Sequence, residues 1–401
     1  MHNSNKTHLR VLACLSTFAF GGGQAMMIAL YPALAWALNL DLSTLIYCFS
    51  VGSFLFLVGS PFWSNTSDFL GRHQVLTIGT AALLLSFALI VYLVWSPITN
   101  TIFVVSILLA SQIIYGLVAS ATVPAAQALH VDLADKSSSV RAILVHSMSL
   151  SFGRVVGYAL IVFFHEQFKS ELFVYVIFLT FVFLILFFYS SKVPKYLKPA
   201  SEPSSWRFEA LNIKWIVTIA FLYACFLETV LFSLAGIIQT QFKFDSLSSS
   251  GLGANILLVM SFGIFLVEGS SRTFLKESWK LGLFIGVISL FIGSLFLVKA
   301  HSLAELWISM GFCVVGIGIL PSFYLSFLRQ VGSQASYGKR AGIIAAAHTL
   351  GYSSGGAIAA FAFKNGNNQV GFILAIIAIG LGFVCLKQSK IMDRIYAREA
   401  L

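Results

Sequence analysis

Apolar stretches of about 20 residues, the length that an α-helix needs to cross a bilayer, recur along the whole chain. Only 10% of the 401 residues are charged and 58% are hydrophobic, whereas a soluble domain carries roughly 25% charged residues. The polar interruptions are short and leave no room for a large soluble domain. We therefore expect an all-α membrane protein whose main surroundings are the lipid bilayer.

Polar clusters divide the apolar stretches into twelve predicted transmembrane helices, so both termini are expected on one side. Their approximate bounds are 11–37, 43–64, 74–95, 99–128, 139–164, 170–190, 213–240, 249–268, 279–299, 304–328, 340–363 and 368–387. Twenty of the 25 lysines and arginines fall in loops on the side of the termini and four on the other. This bias marks the cytoplasmic face and predicts a multi-pass protein of the plasma (bacterial inner) membrane. The net charge of +10 thus reports orientation, and no nucleic-acid partner is expected.

The longest polar interruption lies near the middle of the chain. Residues 191–212 are rich in Lys, Pro and Ser, and we interpret them as a cytoplasmic linker between two six-helix bundles, 1–190 and 213–401. Internal echoes at a shift of about 200 residues support a repeat. In one echo, the pair Gly153 and Gly157 corresponds to Gly351 and Gly355.

The segment "SNTSDFLGRH", residues 64–73, follows the second predicted helix. It resembles a signature of the major facilitator superfamily, in which Asp68, Gly71 and Arg72 match and Ser64 and Phe69 depart from the pattern. The resemblance implies a major-facilitator-like fold, with Asp68, Gly71 and Arg72 as a conformational latch at the cytoplasmic side. The alternative is a solvated loop carboxylate beside an arginine that only marks the cytoplasmic face.

Residues 123–142 are similar to the stretch that joins the fourth and fifth helices in drug-exporter branches of that family, and the chain as a whole resembles the drug, metabolite and siderophore exporters. Two positions differ from the exporter patterns. Gln112 stands four residues before Gly116, where the pattern has an arginine, and "GRVVGY" carries Arg154 where the pattern has a proline.

Two formal charges fall in the middle of predicted transmembrane helices: Arg154 and Glu228. A charge at the centre of the bilayer costs at least about 3 kcal/mol and marks a functional site by default. Arg154 shares a polar helix face with Ser151 and Tyr158, which favours a water-filled cavity over lipid. Glu228 lies among aromatic residues and is the predicted proton carrier. Alternatively, the two charges form only a structural pair between the two halves.

The other predicted cavity residues lie on polar faces of helices that line the central cavity in the family, or that lie beside it. Gln24 and Tyr31 are seven residues apart in the first helix, and His348 lies in the eleventh. The predicted substrate-binding residues are therefore Arg154, Gln24, Gln112, Tyr31, Tyr158 and His348. For His348, as for His146, the alternative is a histidine that only packs.

Enzyme motifs are absent from the sequence: there is no phosphate-binding loop and no His-Glu-x-x-His helix, so no catalysis, cofactor or metal is expected. A guanidinium binds carboxylate and phosphate groups in a bidentate manner, so Arg154 favours an anionic solute. We expect a monomeric secondary transporter that exports a small organic anion by alternating access in exchange for protons, as in drug, metabolite or siderophore efflux. The alternatives are proton-coupled uptake of an anionic nutrient and a degenerate sensor that does not transport.

Overall fold

A computed structural model describes residues 3–133, 139–190, 213–274, 279–330, 337–365 and 369–399 of the chain. These residues form fourteen α-helices and two 3₁₀ turns, Ala119–Ala121 and His165–Gln167, with no strand among them. The helices are α1 Asn3–Ala29, α2 Tyr31–Ala37, α3 Leu42–Leu70, α4 Arg72–Trp95, α5 Thr101–Leu117, α6 Thr122–Asp132, α7 Ser139–Phe164, α8 Phe168–Ser190, α9 Lys214–Gln241, α10 Ser246–Phe274, α11 Trp279–Lys299, α12 Leu303–Gln330, α13 Tyr337–Asn365 and α14 Gln369–Glu399.

Ten segments of the described residues are long and apolar enough to cross a membrane. One of them, Val145–Ser190, spans 46 residues and contains both α7 and α8, which are separated by the second 3₁₀ turn. Helix α13 is not among the ten, although it has 29 residues. The predicted linker, 191–212, lies outside the described residues.

Two predicted helices are interrupted rather than continuous. The first breaks at Leu30, and Pro32 lies in the first turn of the short helix that follows. The fourth breaks after Leu117, where a 3₁₀ turn precedes α6 with its Pro124. Proline has no N–H for the helical hydrogen bond and its ring crowds the carbonyl four residues earlier, so both breaks have a local cause.

The chain divides into two compact units: Met1–Glu202 with Asp245–Asn255, and Pro203–Phe244 with Ile256–Leu401. In the first unit the most extensive contact joins α1 to α7, and α3 packs on α5 and α4 on α8. In the second unit α9 packs most extensively on α13, and α11 packs on both α12 and α14.

Both of these most extensive contacts are made where glycine pairs bring two helix backbones together. A Cβ at Gly153 or Gly157 of α7 would collide with the carbonyl oxygen of Phe18 or Gly22 of α1, respectively. In the second unit, a Cβ at Gly351 or Gly355 of α13 would collide in the same way with the carbonyl oxygens of Phe221 and Cys225 of α9. The glycine echo of the sequence therefore has a structural counterpart, and we call these contacts the two glycine seams.

Candidate functional site

The first glycine seam positions the charged residue of α7. Gly153 faces Phe18 and Gly157 faces Gly22, so residue numbers rise together and α1 and α7 run parallel. Arg154 directly follows the first of these glycines. Its backbone therefore lies close to α1, within reach of a side chain two residues beyond Gly22.

That side chain is Gln24. Its Oε1 accepts two hydrogen bonds from the guanidinium of Arg154, one from Nε at 3.1 Å and one from Nη2 at 2.8 Å. An arginine carries only donors, so the amide oxygen, and not the amide nitrogen, must face it. The structure thus brings together two of the predicted substrate-binding residues.

Gln24 is also only partly buried, in contrast to its neighbours along the chain. Between Ala19 and Ala35 it is the one side chain that is not buried, and Arg154 is likewise only partly buried. Tyr31, predicted on the same face of the first helix, is 2% exposed and packs edge-on against Phe49 with ring centroids 5.0 Å apart. The polar pair is therefore accessible, whereas Tyr31 lies in the core of its unit.

Two further predicted ligands of the substrate are buried within the first unit. Tyr158, one turn beyond Arg154, is 3% exposed. Gln112 is 2% exposed and lies in the contact between α5 and α3, where its Nε2 donates to Ser111 at 3.2 Å and its Oε1 lies against Gly52. Their role as substrate ligands stays a prediction.

Glu228, the predicted proton carrier, lies on α9 beside the second glycine seam. It is 6% exposed, and its Cβ lies in the contact with Gly355. Ala25 holds the corresponding place beside Gly157 in the first unit. The two seams therefore carry different side chains at equivalent positions, a carboxylate in one and a methyl group in the other.

His348 belongs to a cluster of aromatic residues in the second unit. Its Nε2 lies 2.7 Å from the hydroxyl of Tyr324, and its ring packs against Tyr223 and Tyr352 with centroids 6.2 and 6.1 Å away. The hydroxyl of Tyr223 in turn donates to the carbonyl of Ile317 at 3.2 Å. Sequence reasoning singled out His348 but missed Tyr223 and Tyr324, which lie in apolar runs without a periodic signal.

The predicted latch residues lie together at the turn between α3 and α4. Gly71 joins these helices with φ of +100°, a conformation that residues with a side chain rarely adopt. Arg72 forms an ion pair with Asp68, and its Nε also donates to Asp132 of α6 at 3.2 Å. Sequence reasoning missed Asp132, although an acid at the end of an apolar helix was a signal that could have found it.

A second buried polar group lies where α1, α6 and α7 meet. The rings of His130 and His146 are 6.1 Å apart, and Cys14 Sγ lies 3.6 Å from Nε2 of His130. Ser149 donates to the carbonyl of Cys14 at 2.9 Å. Within the described part of the chain, no group of three or more His, Cys, Asp and Glu side chains is arranged to hold a metal ion.

The long apolar helices define a multi-pass membrane protein. The partly buried pair of Arg154 and Gln24 forms a polar site among these helices. The chain belongs to the Major Facilitator Superfamily, whose family model matches residues 13–338. A search of functionally curated proteins gives no significant match.

Three solved structures of transporters share this fold. A human organic anion transporter, MFSD10 (TETRAN), matches with a TM-score of 0.65 and 17% identity over 95% of this chain and 99% of its own. A bacterial homolog of the human lysosomal transporter Spinster matches at 0.72 and 11%, over 98% and 99%. The nucleoside transporter NupG, in a point-mutant form, matches at 0.74 and 11%, over 96% and 99%. Family and fold therefore indicate a transporter rather than an enzyme.

Proposed function

We propose that this chain is a secondary active transporter that moves a small organic anion across the membrane by alternating access. The observation that carries the proposal is the position of Arg154. This permanently charged side chain is hydrogen-bonded to Gln24, a partly buried residue of α1. A charge kept among membrane helices needs a functional reason, and a guanidinium is suited to carboxylate and phosphate groups. The fold shared with a protein described as an organic anion transporter supports the same solute class.

The proposed architecture has twelve transmembrane helices in two halves, with 191–212 as the linker. Ten segments meet the length and apolarity of a transmembrane helix, the 46-residue segment contains two helices, and α13 supplies one more. The parallel course of α1 and α7 agrees with this count, because three crossings, by α3, α4 and α5–α6, then lie between them. The repeated glycine seam supports a duplicated half.

Proton coupling is assigned to Glu228, since a buried carboxylate within a helix bundle can bind and release a proton as access alternates. Export in exchange for protons is the direction that we propose, in a plasma (bacterial inner) membrane with both termini in the cytoplasm and the protein acting as a monomer. Asp68, Gly71 and Arg72 form the proposed latch. Asp132, which shares the guanidinium of Arg72, holds that arginine in place.

Two measurements on purified protein test this proposal. The first is a thermal-shift screen over polycarboxylates, phosphorylated metabolites, amino acids, nucleosides and cationic drugs, in which anions should stabilise the wild type and lose their effect in Arg154→Gln. The second follows uptake of the best anion into proteoliposomes under an imposed pH gradient of either sign. Stabilisation by neutral or cationic solutes alone would contradict the anion assignment. Exchange predicts that the anion accumulates on the side from which protons leave. Accumulation of the anion on the side to which protons flow would contradict export and favour proton-coupled uptake.

A further inference from the structure

The amide of Gln24 occupies the edge of Arg154 that a carboxylate would use. A carboxylate pairs side-on with a guanidinium through two parallel N–H···O bonds, and Nε with Nη2 forms such an edge. Here one neutral oxygen, Gln24 Oε1, accepts both bonds at 3.1 and 2.8 Å. The edge is therefore filled, but by a weaker acceptor than an anion with two oxygens.

The pair is also only partly buried. Gln24 is the only side chain between Ala19 and Ala35 that is not buried, so its amide borders accessible space. The backbones of α1 and α7 are closely packed beside the pair, because a Cβ at Gly153 or Gly157 would collide with a carbonyl oxygen of α1. Rotation of the Gln24 side chain is therefore the simplest route by which Arg154 could change partners.

We propose that Gln24 is an internal stand-in for the carboxylate of the solute. Its amide binds Arg154 while the site is empty, and the carboxylate displaces the amide when the solute binds. This rests on the proposed function, in which Arg154 binds an anionic solute. With the site empty, the amide satisfies the guanidinium. A carboxylate takes over the edge because it brings charge and a second oxygen. A solute with an amide in place of the carboxylate is rejected, since it offers Arg154 nothing that Gln24 does not already supply.

A stand-in lowers affinity by a predictable route. If the edge is free for only a fraction of the time, the apparent dissociation constant is the intrinsic constant divided by that fraction. Removing the amide should therefore tighten binding of a carboxylate, whereas a substrate ligand would weaken binding when removed. A glutamate in place of Gln24 would put a carboxylate of the protein itself beside Arg154, and this carboxylate should block the guanidinium edge permanently.

The binding test uses the full-length protein with succinate, succinamide and inorganic phosphate as probes. Gln24→Ala should bind succinate about tenfold more tightly than the wild type, and Gln24→Glu at least about a hundredfold more weakly. Thr17→Ala, one heptad earlier on the same helix, is the matched control, because its hydroxyl bonds only to the carbonyls of Ala13 and Cys14. Succinamide should bind neither the wild type nor Thr17→Ala.

A second readout needs no ligand. Phenylglyoxal modifies accessible guanidinium groups, and peptide mass spectrometry measures the rate at Arg154 alone. That rate should be several-fold higher in Gln24→Ala than in the wild type and lower in Gln24→Glu. Equal rates in all three proteins would overturn the proposal even if none of the probes binds.

The remaining outcomes separate the stand-in from the proposed function. Unchanged succinate binding in Arg154→Gln would contradict the assignment of the anion site to Arg154, whatever the rates of phenylglyoxal modification are. Loss of succinate binding in both Arg154→Gln and Gln24→Ala would keep the anion site and overturn the stand-in, making Gln24 a ligand of the solute. Tighter binding of phosphate than of succinate in Gln24→Ala would overturn the carboxylate assignment.

Discussion

The Nε atom of Arg72 lies 3.2 Å from Oδ2 of Asp132, so one guanidinium at the start of α4 holds carboxylates from both α3 and α6. The two acids differ in their surroundings, since the side chain of Asp132 is 6% exposed and that of Asp68 30%. The deeper acid is suited to stabilising the fold, whereas the more exposed one can change partners in the proposed transport cycle.

The first prediction concerns these two acids. Asp68→Asn should slow transport in proteoliposomes several-fold and leave ligand-induced thermal shifts unchanged, because it alters only the balance between open states. Asp132→Asn should instead lower the free energy of unfolding, by about 1–3 kcal/mol, since a neutral amide is a weaker acceptor for the buried guanidinium than a carboxylate is. Unchanged transport by Asp68→Asn would take the latch out of the mechanism.

The second prediction concerns proton coupling. Glu228→Gln keeps the shape of the side chain but cannot release a proton, so solute binding and solute exchange should persist while accumulation driven by a pH gradient is lost. Glu166→Gln, at an exposed carboxylate of a 3₁₀ turn, is the control and should transport like the wild type. Full pH-driven accumulation by Glu228→Gln would assign the proton to another residue.

The third prediction separates function from structural pairing. If Arg154 and Glu228 only neutralise each other, each single variant strands a buried charge, at roughly 3–5 kcal/mol, and the double variant Arg154→Gln with Glu228→Gln regains folded, active protein. We expect the double variant to fold but to lack both anion binding and pH-driven transport. Recovery of full transport by the double variant would contradict both the assignment of substrate binding to Arg154 and that of proton coupling to Glu228.

The fourth prediction tests the first glycine seam. Gly153→Ala would place a methyl group on the carbonyl oxygen of Phe18, forcing α7 away from α1 and separating Arg154 from Gln24. Overpacking of this kind costs about 1–3 kcal/mol, so the temperature at which half of the protein stays monodisperse should fall by several degrees.

The matched control for the seam is Gly311→Ala in α12, where a Cβ would have nothing within 4 Å. Alanine is favoured over glycine inside a helix by about 0.5–1 kcal/mol, so this variant should be as stable as the wild type or slightly more stable. Equal losses at both positions would mean that the seam is not a close contact.

The fifth prediction concerns orientation. A membrane-impermeant maleimide should label Thr99→Cys in intact cells, but Phe69→Cys only after permeabilisation, because the lysine and arginine bias places Thr99 outside and Phe69 inside. The background from native thiols should be low, since four are buried: Cys48, Cys225, Cys313 and Cys385. The reverse labelling pattern would invert the topology.

Sequence reasoning identified the apolar helices, because their signal is composition and length. It also placed Gln24 and Arg154 in one site. It could not predict that they are hydrogen-bonded, since the register of α1 against α7 depends on where Gly153 meets Phe18, which no single helix reveals.

Tertiary packing explains the other omissions. Tyr223 and Tyr324 lie in apolar runs in which any face could be the buried one, so only packing shows that they surround His348. The two helix breaks are local by contrast. Pro32 and Pro124 were visible in the sequence and lie in the first turn of the helix that follows each break.

The glycine seams have a consequence for how such a chain can evolve. Main-chain atoms make the contact, so it depends on Gly157 and Gly355, and on the glycine four residues before each, more than on the side chains alongside. The neighbouring positions accept different side chains, since Ala25 beside Gly157 and Glu228 beside Gly355 occupy equivalent places. A substitution at either place can therefore change the chemistry beside a seam while the two helix backbones keep their alignment.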